Sequence, residues 1–168
     1  MRFLAPLLFC AIWVYALQMP NTMQADFKQT VTNEHGQKLQ YTGSIYVDAP
    51  YDSKWSYDMP TQKDICISQE SIIVVEHDLE QATYYKNSNH IDFNTLYKKA
   101  EPVSKNSYVT TFNDTKYHLQ TKDGKIYSLE FTDALDNHSK ISFSSVVYET
   151  KLPSLECEIP LYFDRIYE

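Results

Sequence analysis

Five histidines, three cysteines and a scatter of carboxylates and serines are the side chains in this sequence that could do chemistry. His35, His77, His90, His118 and His138 each abut a turn or a polar strand face, and none has a second histidine at i+2 or i+4. That spacing does not assemble a zinc site, whose imidazole ligands converge from one short stretch. Asp64 and Asp78 are the carboxylates that could pair for acid–base work, but both read as solvated surface. Ser68, Ser71 and Ser144 stand outside any G-x-S-x-G elbow, the sharp turn that exposes a serine nucleophile. With 3 glycines in the chain, no glycine loop is available to cradle a phosphate. The residues therefore argue against an enzyme and imply neither metal nor cofactor. Asn113-Asp114-Thr115 and Asn137-His138-Ser139 are glycosylation sequons, meaningful only in a eukaryotic secretory pathway.

The elements that must position these residues are strands. The 168 residues suffice for one domain with a real core, and hydrophobic and charged contents of 43% and 22% are those of a folded protein. Tyrosine, at 14 residues, is the outlier. It favours strands and joins an apolar body to a polar tip, which suits half-wet sheet surfaces. A net charge of −7 excludes nucleic acid as a partner and argues against docking on anionic lipid.

At the N-terminus, Arg2 precedes an apolar run from Phe3 to Val14, and Val14-Tyr15-Ala16 ends in a small residue. This pattern predicts a cleaved export signal over residues 1–16, with an uncleaved anchor as the alternative. Phe9 stands where a lipoprotein signal would need a small residue before Cys10. Export changes the meaning of the two remaining cysteines, because oxidising compartments favour disulfides. A Cys66–Cys157 bridge would close a loop of about 90 residues, worth roughly 4 to 5 kcal/mol in the chain-entropy model. Two buried thiols that never meet are the other reading, and both stay open.

Met23, Ala25, Phe27 and Val31 alternate with polar residues, which predicts a strand with one dry face. Leu39, Tyr41, Ile45 and Val47 do the same after the Asn33–Gly36 turn. Trp55 and Tyr57 share a face, as do Ile65 and Ile67, whereas Ile72-Ile73-Val74-Val75 is apolar on both parities and predicts cover on both sides. The period then changes. Phe93, Leu96, Tyr97 and Ala100 fall at helical spacing behind the potential caps Asn87, Ser88 and Asn89, and Pro102 stops the helix. Strands resume at Tyr108–Phe112, Thr115–Thr121, Ile126–Thr132 and Lys140–Tyr148, with Asp123-Gly124 as the clearest hairpin turn. The final run is Leu161–Ile166. The sum is a mainly β, antiparallel protein of ten or eleven strands with one short helix lying over the sheet. Its aromatic stripe reads either as a closed core or as a cavity under a lid, and periodicity does not separate the two.

Five blocks in order, ADFKQTVTNEHG, GSIYVDAP, KWSYDMP, DLEQAT and YSLEFTDALDNHSKISFSSV, resemble the LolA family of outer-membrane lipoprotein carriers. The tail IPLYFDRI resembles that family's closing strand. The resemblance implies an unclosed β half-barrel with a helical lid, formed by a single carrier domain over residues 17–168. It implies a monomeric periplasmic chaperone that shields lipoprotein acyl chains between the inner and outer membranes. An ATP-driven inner-membrane exporter would load it, and the sequence leaves open whether an outer-membrane acceptor receives the cargo. The cavity would be lined by Phe27, Tyr41, Ile45, Val47, Trp55, Tyr57, Ile65, Ile67, Ile73 and Val75, with Phe93, Leu96 and Tyr97 on the lid. A lipoprotein-sensing regulatory domain on the same half-barrel, or a secreted structural or adhesive β domain with a filled core, are the alternatives. The chain departs from the family pattern at Ala49, where an arginine usually latches the lid, and at Ser53, where a phenylalanine often faces the cavity. The turn after Ser68 lacks the usual Asp-Gly, and Ile73 and Val75 stand where an aromatic pair normally follows. The first lid helix is reduced to Leu17–Asn21, with Pro20 inside it.

Overall fold

The computed structural model describes residues 20–87 and 93–168. The export signal, most of the Leu17–Asn21 remnant, His90 and the caps Ser88 and Asn89 lie outside the described residues. Strands β1 (Thr22–Thr32), β2 (Lys38–Asp48), β3 (Asp52–Met59), β4 (Lys63–Ile67), β5 (Ser71–Glu76) and β6 (Gln81–Lys86) make up the first half. Helix α1 (Phe93–Lys98) follows, and then β7 (Glu101–Ser104), β8 (Ser107–Phe112), β9 (Thr115–Lys122), β10 (Lys125–Thr132), β11 (His138–Tyr148) and β12 (Asp164–Tyr167).

All 12 strands form one sheet in the order β12-β6-β5-β4-β3-β2-β1-β11-β10-β9-β8-β7. The edges β12 and β7 do not pair, so the sheet is an open half-barrel, as the family resemblance implies. The twelve strands exceed the upper expected count of eleven by one, which is β7. Pro102 ends the helix but also enters β7, an edge strand where its missing N–H costs no ladder bond. The last strand, β12, pairs with β6 in parallel, Asp164 opposite Gln81 and Tyr167 opposite Tyr84. The expected all-antiparallel pairing therefore fails at this edge. The segment after β11 runs across the sheet before it joins, so it arrives from the same end as β6.

Register sets the faces. Phe27 stands opposite Gly43 on one side and Phe143 on the other, and Ile45 stands opposite Ala25 and Trp55. Directly opposed residues point to the same face, so these side chains share one surface. Gly43 is required there. A Cβ would collide with the Ser56 carbonyl oxygen and lie 3.0 Å from the Phe27 ring. The Phe27 ring occupies that gap and packs edge-on to Trp55 and Tyr57, with centroids 5.2 and 5.0 Å away.

A bulge in β10 changes one expected parity. Ile126 pairs with Thr121 but Ser128 with Gln120, which leaves Tyr127 unpaired. Ile126 therefore joins Leu129 on the inner face, although strict alternation would separate them. The principal core gathers Met23, Ala25, Phe27, Ile45 and Val47 with Tyr117, Leu119, Leu129, Ile141 and Phe143, and α1 covers it through Phe93, Leu96 and Tyr97. The helix thus lies over the sheet as its spacing predicts. No helix of the described residues is long and apolar enough to cross a membrane.

Candidate functional site: an apolar cavity under the helix

A cavity of about 540 Å³ opens on the inner face. Trp55, Tyr57, Ile65 and Ile67 line it from β3 and β4, Ile72 and Val74 from β5, and Tyr85 from β6. Phe112, Tyr117, Leu129, Phe131 and Ile141 line it from the second half of the sheet, and Phe93 and Leu96 from the helix. Strands far apart in the sheet order meet across this space, which is the direct consequence of curvature. The polar lining consists of Gln29, Ser53 and Asn113 with the tyrosine hydroxyls. Among the described residues, none that lines the cavity is an Asp, Glu, Lys, Arg or His.

The family resemblance places ten sheet residues on this cavity, and the structure distributes them. Trp55, Tyr57, Ile65 and Ile67 line it. Phe27, Ile45 and Val47 are buried in the layer that supports it. Tyr41 lies on the same face, edge-on to Tyr57 at 5.7 Å, without lining the cavity. Ile73 and Val75 lie on the opposite face, a correction that register makes unambiguous. Val74 stands opposite Ile65 and Ile72 opposite Ile67, whereas Ile73 stands opposite Cys66. The run is apolar at every position, so alternation carries no face signal there. Both faces are indeed covered, the outer one by a second cluster of Val75, Ala82 and Phe163 with Ile73, Tyr84, Cys157 and Ile159. The lining residues of β8 to β11 are absent from the expected set, and the alternation of Tyr117 with Leu119 and of Ile141 with Phe143 is the signal that marks them.

On the helix, Phe93 meets Trp55 and Phe143 at centroid distances of 6.1 and 6.0 Å. Leu96 is 1% exposed. Tyr97 does not line the cavity. Its hydroxyl lies 3.3 Å from that of Tyr148, and burial, then Tyr148, pushes its ionisation far above the ordinary phenol range. Tyr57 is pushed up to about 12, by burial first and by Tyr41 second. Both phenols are neutral at physiological pH. Ser53, where the family resemblance expects phenylalanine, leaves room beside Ile67 and Ile72.

Cys66 and Cys157 are joined by a disulfide with their Cα atoms 5.8 Å apart. It pins the segment between β11 and β12 onto the outer face of β4 and β5. Asp64 pairs with His77 rather than Asp78. Its carboxylate accepts from Ser56 Oγ at 2.6 Å and meets His77 Nε2 at 3.1 Å, with Lys54 Nζ at 4.0 Å. The carboxylate sits between serine and imidazole, so the imidazole has no hydroxyl to deprotonate and the trio is not a nucleophilic triad. His118 and His138 line a shallow outer groove with Glu130, whose carboxylate holds Lys140 at 2.7 Å. Ser68 and Ser71 bond each other across a turn. Among the described residues, no group of His, Cys, Asp and Glu could hold a metal ion.

The family model described as "Outer membrane lipoprotein carrier protein LolA" matches residues 18–155. The outer-membrane lipoprotein carrier protein of Helicobacter pylori strain J99 is 36% identical over 138 residues, which is 82% of this chain and 74% of the relative. That of Wolinella succinogenes is 31% identical over 155 residues, covering 92% of this chain and 88% of the relative. An uncharacterized conserved protein from Thermus thermophilus superposes with a TM-score of 0.56 at 6% identity, covering 89% of this chain and 92% of that one. That likeness is one of fold.

Proposed function

Because this chain belongs to the LolA family of outer-membrane lipoprotein carriers, we propose that it binds lipoprotein acyl chains in the cavity under α1 and shuttles the cargo from the inner to the outer membrane. The observation that carries this reading is the cavity itself, about 540 Å³ of space walled by aromatic and aliphatic side chains, with no charged residue among the described ones that line it. Each methylene removed from water is worth about 0.8 kcal/mol, so a long acyl chain does not leave a membrane without such a shelter. The work of a carrier is burial and release, and it asks for no nucleophile, base or metal. Membership in a carrier family is consistent with a non-catalytic protein. The periplasm is the compartment that fits the Cys66–Cys157 disulfide and the N-terminal export pattern. In this reading an ATP-driven exporter in the inner membrane supplies the energy of loading. The open cavity weighs against a structural or adhesive domain with a filled core.

The test is Leu96→Glu. A carboxylate in place of the buried leucine puts a charge where acyl chain and helix meet, while the strand ladders are untouched. The wild type is expected to co-purify with acylated protein, and the variant to keep its β-sheet circular dichroism and lose that cargo. Retention of acylated protein in solution by the variant would overturn the assignment of α1 as the lid.

A further inference from the structure

Building on the carrier reading, we propose that Lys63 and Gln29 form a subsite for the carbonyl oxygens of the acylated head, which fixes the direction in which cargo enters the cavity. The two ends of the cavity along β3 differ in chemistry. Ser53 and Tyr57 are four residues apart, about 13 Å at 3.3 Å per residue. Around Ser53 the walls are Ile67, Ile72 and Tyr85, and around Tyr57 they include Gln29. Tyr57 Oη donates to Gln29 Oε1 at 3.2 Å. That bond leaves the Gln29 amide nitrogen as a donor without a partner among the described residues.

Lys63 stands opposite Tyr57 in the β3–β4 register and so shares the inner face. Its ammonium lies over the Tyr57 ring, 4.7 Å from the centroid, and 5.9 Å from that of Tyr41. Glu76 is its neighbour on β5, yet Lys63 makes no salt bridge among the described residues and turns to the tyrosines instead. An ammonium has three donors, and a ring face satisfies one direction at most. Gln29 therefore presents an N–H donor at the polar end of the cavity, and Lys63 adds its ammonium just beyond the lining, over the Tyr57 ring. Ester and amide carbonyls of an acylated cysteine are acceptors only, and match that set. Their tails then run past Trp55 and Ile65 toward Ile67 and Ile72. With Glu76 nearby, the site suits neutral carbonyl oxygens better than a phosphate.

The experiment uses the full chain and three radiolabelled probes, with retention measured by equilibrium gel filtration. The probes are a synthetic peptide bearing an S-diacylglyceryl, N-acyl cysteine, dipalmitoyl phosphatidylglycerol, and hexadecane. Lys63→Met is expected to weaken the lipopeptide roughly tenfold, the size of effect that loss of one charge-assisted hydrogen bond produces, and to leave hexadecane retention as it was. Lys63→Arg is expected to restore the lipopeptide. Equal lipopeptide retention by wild type and Lys63→Met would overturn the subsite, as would a parallel loss of both lipopeptide and hexadecane. Selective weakening of phosphatidylglycerol alone would assign Lys63 to a phosphate and overturn the carbonyl assignment. If the wild type retains none of the three, the carrier reading falls and the subsite with it, an outcome distinct from binding without discrimination.

Discussion

The hydroxyls of Tyr97 and Tyr148 lie 3.3 Å apart, and Tyr148 Oη also accepts the backbone N–H of Ile126 at 2.8 Å. One phenol thus ties α1 to β11 and to the bulged start of β10. Lys125 reinforces the corner, with Nζ donating to the Val146 carbonyl at 2.7 Å and lying 6.0 Å from the Tyr148 ring centroid. Ala49, where the family resemblance expects an arginine latch, offers no side chain that could hold the helix. Tyr148→Phe leaves a buried N–H unpaired, so it is expected to cost about 1 to 3 kcal/mol. Tyr97→Phe removes a single exchangeable bond and is expected to cost about 0.5 to 1.5 kcal/mol. Urea unfolding of the two variants and the double variant reads the coupling, and hydrogen exchange of the Ile126 amide reports the loss of its acceptor. Additive effects within experimental error would show that the two hydroxyls do not form a latch.

The assignment of faces in β5 predicts opposite phenotypes for neighbouring residues. Val74 lines the cavity and is half-buried, whereas Val75 is 0% exposed in the outer cluster. Val74→Asn is expected to lose lipopeptide retention with a small effect on the urea midpoint. Val75→Asn is expected to lower stability by about 2 to 4 kcal/mol, since it buries an amide without a partner, while the folded fraction still binds. Exchange of these two outcomes would reverse the strand's orientation.

The disulfide closes a sequence separation of 91 residues. In the chain-entropy model such a loop contributes roughly 4 to 5 kcal/mol. It also holds the segment that carries β12 to the edge of β6 over Ile73. Cys157→Ser, or reduction of the wild type, is expected to lower the melting temperature by about 8 to 20 °C, given about 2 to 4 °C per kcal/mol for a domain of this size. Reduction that leaves the melting temperature in place would show that the segment is held by packing alone.

Alkaline pH probes the buried phenols. Tyr57 ionises at about 12 in the folded protein against 10.0 for a free phenol. A raised native value means that the folded state keeps a proton the unfolded chain has released. The associated stability is fully present below pH 10 and is lost progressively as pH rises through about 12. Tyr97 acts in the same direction. The urea midpoint of the wild type is expected to fall with pH above about 10, and Tyr57→Phe is expected to flatten that fall. An identical slope in the variant would place the alkaline transition elsewhere.

Much of this was legible along the chain. Alternation in Met23–Phe27, Tyr41–Val47 and Trp55–Tyr57 identified the strands and the inner side of the first half, because a strand with one dry face repeats every two residues. The helical spacing of Phe93, Leu96 and Tyr97 identified helix α1 and its buried side. Local physics sufficed at these positions.

Tertiary structure decided what alternation could not encode. Ile72-Ile73-Val74-Val75 is apolar throughout, so only pairing with β4 turned Val74 inward and Val75 outward. The β10 bulge moved Ile126 to the inner face, and no local signal marked Tyr127 as unpaired. Cys66 and Cys157 left two readings open until the return of the chain across β4 and β5 brought them together. The cavity is likewise a property of curvature. Trp55 and Ile141 would each pack a closed core equally well, and only the bend of the sheet, which α1 covers in part, leaves space between them.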